Sequence, residues 1–263
     1  VEFVLKSSEA NRSGRMPVPQ SRALVSDILH FHESIPTCAQ DRLIPLAELN
    51  ELRTQLRKRV SWPAIFLKGF ATVADRNSKL RQTWQNWPWP HIYQHASSSG
   101  TVAVSRQFRD DDWLFWGQFP NPQATPLEEI QARLDRFSQG NVEVVFRKQL
   151  LLSSLPRLAR RLIWWWQLNL AGEKRVKRTG TFSLSSVAGR GAEIQHPPGF
   201  VTSVLTFGPI NSEGKSRVTI AYDHRLMDGA FVADRLEELE AELHSSIRAE
   251  LLALQCPDSR KAA

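Results

Sequence analysis

A histidine, an arginine and two aspartates crowd into YDHRLMDGA, residues 222 to 230, directly after the apolar alternation RVTIAY. A histidine can act as a general base near neutral pH because its ordinary pKa of about 6.5 lets it exchange a proton there. His224 and Asp228 stand four residues apart, and Arg225 and the aspartates can fix the intervening turn by ion pairing. Gly229 is expected to ease the turn, since glycine tolerates backbone angles that other residues avoid. Two readings remain open on these residues alone: a site with His224 as base, and a surface turn braced by a salt bridge.

The turn needs elements on both sides. RVTIAY predicts a strand before it. After it, a long helix is predicted from about Ala230 to Leu254, with Leu236, Leu239, Leu243, Ile247 and Leu251 on the buried face and Glu237, Glu238, Glu240 and Glu242 on the wet one. Strand patterns also cover TVAVS (101 to 105), TFSLSS (181 to 186) and VTSVLTF (201 to 207). GPINSEGKS between VTSVLTF and RVTIAY suits a hairpin loop, which implies antiparallel pairing of the two. Amphipathic helices are predicted from Pro45 to Arg59, on Leu46, Leu49, Leu52 and Leu56, and after Thr125-Pro126, on Leu127, Ile130, Leu134 and Phe137. Helices early and late with clustered strands predict an α/β chain with a mixed sheet covered by helices.

The chain has 263 residues, 41% of them hydrophobic, which is ample for a buried core. Thirty-four Lys and Arg against 27 Asp and Glu give a net charge of +7, suited to anionic partners of any kind. No nucleic-acid-binding module is found, so nucleic acid is not an expected partner. Cys38 and Cys256 lie far apart and without metal-ligand spacing, which points to a reducing, cytoplasmic setting. His30, His32, His91 and His95 form no ligand set, and no bound metal is expected. Residues 1 to 19 show no signal-peptide pattern and read as a flexible arm, 20 to 255 as one domain, and 256 to 263 as a tail.

YDHRLMDGA followed by an amphipathic helix resembles the DHRxxDG signature of the catalytic domain of the dihydrolipoamide acyltransferases of 2-oxo acid dehydrogenase complexes. It is related also to the HHxxxDG motif of chloramphenicol acetyltransferase. GTFSLSSVAGRG at 180 to 191 is similar to that family's GTFTISNLG segment, and QHPPGFVTSVLTFG at 195 to 208 to its NPPQ-type segment. A weaker likeness at 21 to 53 resembles the domain's opening helix, Ile-Pro turn, first strand and next helix.

The resemblance implies a two-layer α/β sandwich and a coenzyme A-dependent acyltransferase moving an acyl group between thiols. His224 matches the base that takes a thiol proton. Ser185, with Ser186 as the neighbour that can be confused with it, matches the hydroxyl that stabilises the tetrahedral oxyanion. Asp228 matches a supporting polar residue. Coenzyme A is then a substrate, and a homotrimer is implied, with the histidine and the serine supplied by adjacent subunits. No lipoyl attachment site is present in these residues, so the second thiol is expected from free dihydrolipoyl compounds, a lipoyl domain on another chain, or another acceptor. A non-catalytic trimeric scaffold derived from the same domain is the alternative.

Residues 144 to 178 depart from the family in their wealth of Trp and Arg. On a helix from Leu155, Leu158, Leu162, Trp165 and Trp166 form one apolar face with Arg157, Arg160 and Arg161 at its border. Such a face is expected to bury against the domain or a neighbouring subunit; it also suits a peripheral membrane contact, an acyl chain or a partner through residues 155 to 170. The aromatic runs at 84 to 93 and 111 to 120 are expected in the core.

Overall fold

The computed structural model describes residues 14 to 255; the rest, including Cys256, most of the arm and the tail, lie outside the described residues. After residues 14 to 19, which are exposed and without regular structure, a short turn leads into α1 (Ala23–His32). The Ile35-Pro36 turn feeds β1 (Thr37–Pro45), then α2 (Ala47–Thr54). The predicted helix at 45 to 59 is thus shorter than its leucine spacing suggests. Pro45 is still paired with Lys215, and the Leu46 amide donates to the Gly214 carbonyl, so the sheet claims the first residues.

α3 (Trp62–Arg76) opens with Pro63 in its first turn, where the missing amide costs nothing. Ala64, Ile65, Phe66, Leu67, Phe70, Ala71, Val73 and Ala74 are all buried, so the wet edge is narrow, limited to Lys68, Thr72 and the last turn at Asp75 and Arg76. β2 (Gln82–Gln85) and β3 (His91–Gln94) form a separate two-stranded hairpin. β4 (Ser99–Phe108) and β5 (Asp111–Pro120) follow, then α4 (Leu127–Gln139), the helix signalled by Thr125-Pro126. The Trp- and Arg-rich segment forms α5 (Arg147–Ser153), α6 (Arg157–Asn169) and α7 (Glu173–Thr179). β6 (Phe182–Ser185), β7 (Ser203–Phe207) and β8 (Lys215–Asp223) complete the strands. α8 (Gly229–Glu242) continues through a π-helical turn at Leu243–Ile247 into Arg248–Gln255.

The main sheet has six strands in the order β1-β8-β7-β6-β4-β5, with β6 parallel to both neighbours and the other pairs antiparallel. It is a mixed sheet covered by helices, as expected. β7 and β8 pair antiparallel across GPINSEGKS. One face carries the main core, where α3 and α8 pack on the sheet: Phe66 stacks on Phe207 with centroids 4.5 Å apart, and Phe70 meets Phe182 edge-on at 4.9 Å. At Gly69 the helices approach so closely that a Cβ would stand 3.2 Å from Leu243 and 3.3 Å from Leu239. The opposite face carries a smaller cluster of Ile28, Leu168, Phe200, Val201, Val204 and Ala221.

Three expectations are corrected. Glu242, placed on the wet face of the last helix, is buried and accepts from Arg76 at 2.8 Å; it precedes the π turn that resets the helical phase. Of the 84 to 93 run Trp84 packs against the core, but Trp87, Trp89 and Ile92 are exposed, because two strands alone offer too little surface to cover them. The 111 to 120 run is core, with Trp113, Phe115 and Phe119 buried. Finally, the Leu158, Leu162, Trp165 and Trp166 face of α6 is not buried against this domain but points outward, since the helix docks through its other side.

Candidate active site

β8 ends at Asp223, and the next three residues turn back toward α8. Backbone bonds pin the turn from both sides: the His224 amide donates to the Pro36 carbonyl at 2.9 Å, and the Asp223 amide to the Thr202 carbonyl at 3.1 Å. The buried Asp223 carboxylate accepts from the Arg225 amide (3.0 Å), its Nε (2.8 Å) and its Nη2 (2.6 Å). Such a bidentate, charge-assisted pair fixes the loop from inside. The Arg225 guanidinium also lies over the Trp84 ring, 5.3 Å from its centroid.

His224 points the other way along the strand alternation and is 44% exposed, open to an external group. Its ring stands 5.8 Å from that of Tyr222. Burial, followed by the charges of Cys38 and Asp228, pushes the Tyr222 phenol above its ordinary pKa. Asp228 lies at the N-terminus of α8 and makes no capping bond; its Oδ1 is 3.7 Å from His224 Nδ1, an electrostatic neighbour beyond hydrogen-bond reach. Gly229 is the first residue of α8 and does not have positive φ; a Cβ there would meet Gln40 and Tyr222 at ordinary distances, 3.4 to 3.8 Å. The expected backbone role for this glycine is therefore absent. Gly180, at the entrance to β6, does have it: φ is +76°, and a Cβ would meet the Ser99 carbonyl at 2.8 Å.

Ser185 is the last residue of β6. Its neighbour Ser186 is engaged in the turn that follows, donating to Phe207 O (2.9 Å) and accepting from the Ala188 amide (3.1 Å). Ser185 Oγ has no hydrogen-bond partner among the described residues. Ser185 pairs with Thr206, and Thr206 with Thr219, which precedes His224 by five residues on the antiparallel β8. Two strand spacings across and five residues along put the two backbones roughly 19 Å apart, at opposite ends of the sheet. One copy of the chain brings His224 and Asp228 together and leaves Ser185 remote.

Sequence reasoning missed Arg175. It is buried beneath the loop, donates to the Leu168 (2.9 Å) and Phe200 (2.8 Å) carbonyls, and borders a cavity of about 70 Å³ shared with Phe31, Trp84, Asp223 and Arg225. Burial lowers its pKa to about 10; attraction to Asp223 opposes the fall and Arg225 adds to it. In the sequence nothing sets it apart from the other cations of EKRVKR. Among the described residues no group of three or more His, Cys, Asp and Glu is placed to hold a metal ion.

No family model and no curated protein matches this sequence. Solved structures do. The dihydrolipoamide acetyltransferase of Azotobacter vinelandii, studied for the role of a serine, a histidine and an asparagine in its catalytic mechanism, superposes with a TM-score of 0.63 at 14% identity, over 95% of this chain and 97% of that one. A truncated catalytic core of the 2-oxoacid dehydrogenase multienzyme complex from Thermoplasma acidophilum gives 0.58 at 14% identity, over 89% and 99%. A chloramphenicol acetyltransferase gives 0.51 at 11%, over 83% and 94%. Six mixed strands in this order, with helices packed on them, give the chain the fold that dihydrolipoamide acetyltransferase cores share with chloramphenicol acetyltransferase.

Proposed function

We propose that this chain is a coenzyme A-dependent acyltransferase that moves an acyl group between thiols, with residues 20 to 255 as its catalytic domain. His224 takes the proton of the incoming thiol, coenzyme A or a dihydrolipoyl-type acceptor. The thiolate attacks the thioester carbonyl carbon, and Ser185 donates a hydrogen bond to the oxygen that becomes an anion. Collapse breaks the old C–S bond, and the protonated imidazole returns its proton to the departing thiolate. A single oxyanion donor of this kind lowers the barrier by about 3 kcal/mol. Asp228 supports the imidazole electrostatically at 3.7 Å. It takes the position four residues after the base, the spacing of the histidine and asparagine in the Azotobacter enzyme.

The observation that carries this reading is the placement of an exposed histidine on a doubly anchored loop at one end of the sheet and an unengaged serine hydroxyl at the other. The separation fits a site completed between copies, the His224 end of one meeting the Ser185 end of the next. Contacts of that head-to-tail kind form a ring when the rotation between copies closes, and three copies is the ring the family resemblance implies.

The test is acyl transfer from a panel of acyl-coenzyme A donors to free dihydrolipoamide, with the acylated product identified by mass. The native chain is compared with His224→Ala at matched oligomeric state. Transfer by the native protein and a loss of about two or more orders of magnitude in the variant is the expected result. A folded oligomer that transfers no acyl group in any pairing supports the scaffold reading instead.

A further inference from the structure

α6 is docked the wrong way round for an ordinary surface helix. Its inward side carries Arg160 and Gln167, both buried, together with Leu168; its outward side carries Leu158 (84% exposed), Leu162 (66%), Trp165 and Trp166. The inward arginine explains why the orientation holds. Arg160 forms a bidentate pair with the fully buried Asp27 of α1, by Nε to Oδ2 and by Nη2 to Oδ1 at 3.1 Å, and its Nη1 donates to the Leu155 carbonyl at 3.0 Å. Rotating the helix to hide its leucines and tryptophans would strand Asp27 as an unpaired buried carboxylate.

The outward face does not end with α6. Trp165 meets Trp87 edge-on with centroids 6.3 Å apart, and Trp87 and Trp89 stand out from the β2–β3 turn, half or more exposed. Two elements remote in sequence thus join in one apolar surface containing four leucine and tryptophan side chains of α6 and two more of the turn.

The segment that carries α6 is one-sided in charge. From Arg147 to Arg178 nine lysines and arginines stand against one glutamate, a net of +8 in a chain whose total is +7. Only Arg160 and Arg175 of the nine are buried. The exposed remainder includes Arg157, adjacent to Leu158, and Lys174, Lys177 and Arg178 on the helix that follows. A second copy seated here through the same face would set this excess against itself, and the rest of the chain offers no matching excess of acid. A partner that is strongly anionic and also accepts protruding tryptophan and leucine is the headgroup region of an acidic bilayer, where tryptophan settles and amphipathic helices lie flat. No described helix is long and apolar enough to cross a membrane.

We infer that α6 and the β2–β3 turn form a docking surface for anionic membranes, held outward by the Asp27–Arg160 pair. The surface does not depend on acyl transfer, and its test reads partition, not turnover. The full chain is sedimented with vesicles of equal parts phosphatidylglycerol and phosphatidylcholine, and with phosphatidylcholine alone, at low and high salt. Co-sedimentation with the mixed vesicles alone, weakened by salt, is expected. Trp165→Gln with Trp166→Gln should weaken it by about tenfold or more through lost apolar insertion. Arg157→Glu with Lys177→Glu should do the same through charge, and flatten the salt dependence. All four side chains are exposed or partly so, and circular dichroism checks that both variants keep the fold. Absence of co-sedimentation with the acidic vesicles, or binding that neither pair of substitutions weakens, overturns the inference. So does a native chain that ignores vesicles while the tryptophan variant changes its oligomeric mass by light scattering; the face is then a contact between copies.

Discussion

Asp223, His224 and Arg225 divide the work of the loop by the alternation of a strand: the first and third turn inward to each other, and the second faces out. Removing the inward carboxylate leaves the Arg225 and Arg175 guanidinium groups without their shared counter-charge. Asp223→Ala should therefore lower unfolding stability by about 3 to 5 kcal/mol in urea titrations, as well as activity. Asp228→Asn, at a side chain 84% exposed and outside hydrogen-bond range, should leave stability unchanged and activity within about tenfold of native. His95 supplies a separate pH signature. Burial, then Arg175 and Arg81, holds its pKa down at about 4, whereas in the unfolded chain it returns to about 6.5. Between those values the unfolded chain binds the extra proton. The stability linked to His95 is complete above about pH 6.5, falls as pH drops through the window, and levels off below about 4, a loss of up to about 3 kcal/mol. Urea midpoints across that range should fall less steeply in His95→Gln than in the native chain.

Gly180 and the Asp27–Arg160 pair show how whole elements depend on single residues. Gly180→Ala puts an alanine at φ +76° with its Cβ against the Ser99 carbonyl, where β6 enters the sheet; a loss of about 2 kcal/mol or more is expected by thermal or urea unfolding. Asp27→Ala leaves Arg160 buried without its carboxylate and should cost about 3 to 5 kcal/mol, with α6 the first segment to gain amide exchange. The elements that could be read from the sequence are marked by a wet stripe or, for β7 and β8, which are buried almost throughout, by β-branched residues and a turn. α4, α8 and the β7–β8 hairpin carry a stripe or a turn signal, and they lie where that signal put them. α3 was missed because its wet edge, Lys68, Thr72 and the last turn, is narrow beside a wide buried face, and β2 and β3 because four residues between prolines and polar neighbours leave no pattern. The choice between burial and exposure of the α6 tryptophans could not be made from the sequence, since the partner that turns the helix, Asp27, is 133 positions away from Arg160. His224 and Ser185 were legible as residue types at motif spacing; that they stand at opposite ends of one sheet needed the strand register.

At the scale of the whole molecule the proposed site belongs to no single copy. His224→Ala and Ser185→Ala homo-oligomers should each be nearly inactive. After the two are unfolded together in equal amounts and refolded, about a quarter of native turnover should return, the chance that an intact histidine meets an intact serine at a given interface. Recovery absent in hybrid oligomers confirmed by mass would place both residues in separate roles.

The roughly 19 Å between the two ends of the sheet also has a consequence in time. A newly folded copy holds a finished core before it holds a finished site, so tryptophan fluorescence after dilution from urea should recover at a rate independent of protein concentration. Turnover should trail it by a lag that lengthens on dilution, because on the proposed reading the last step in completing the site is an encounter between copies.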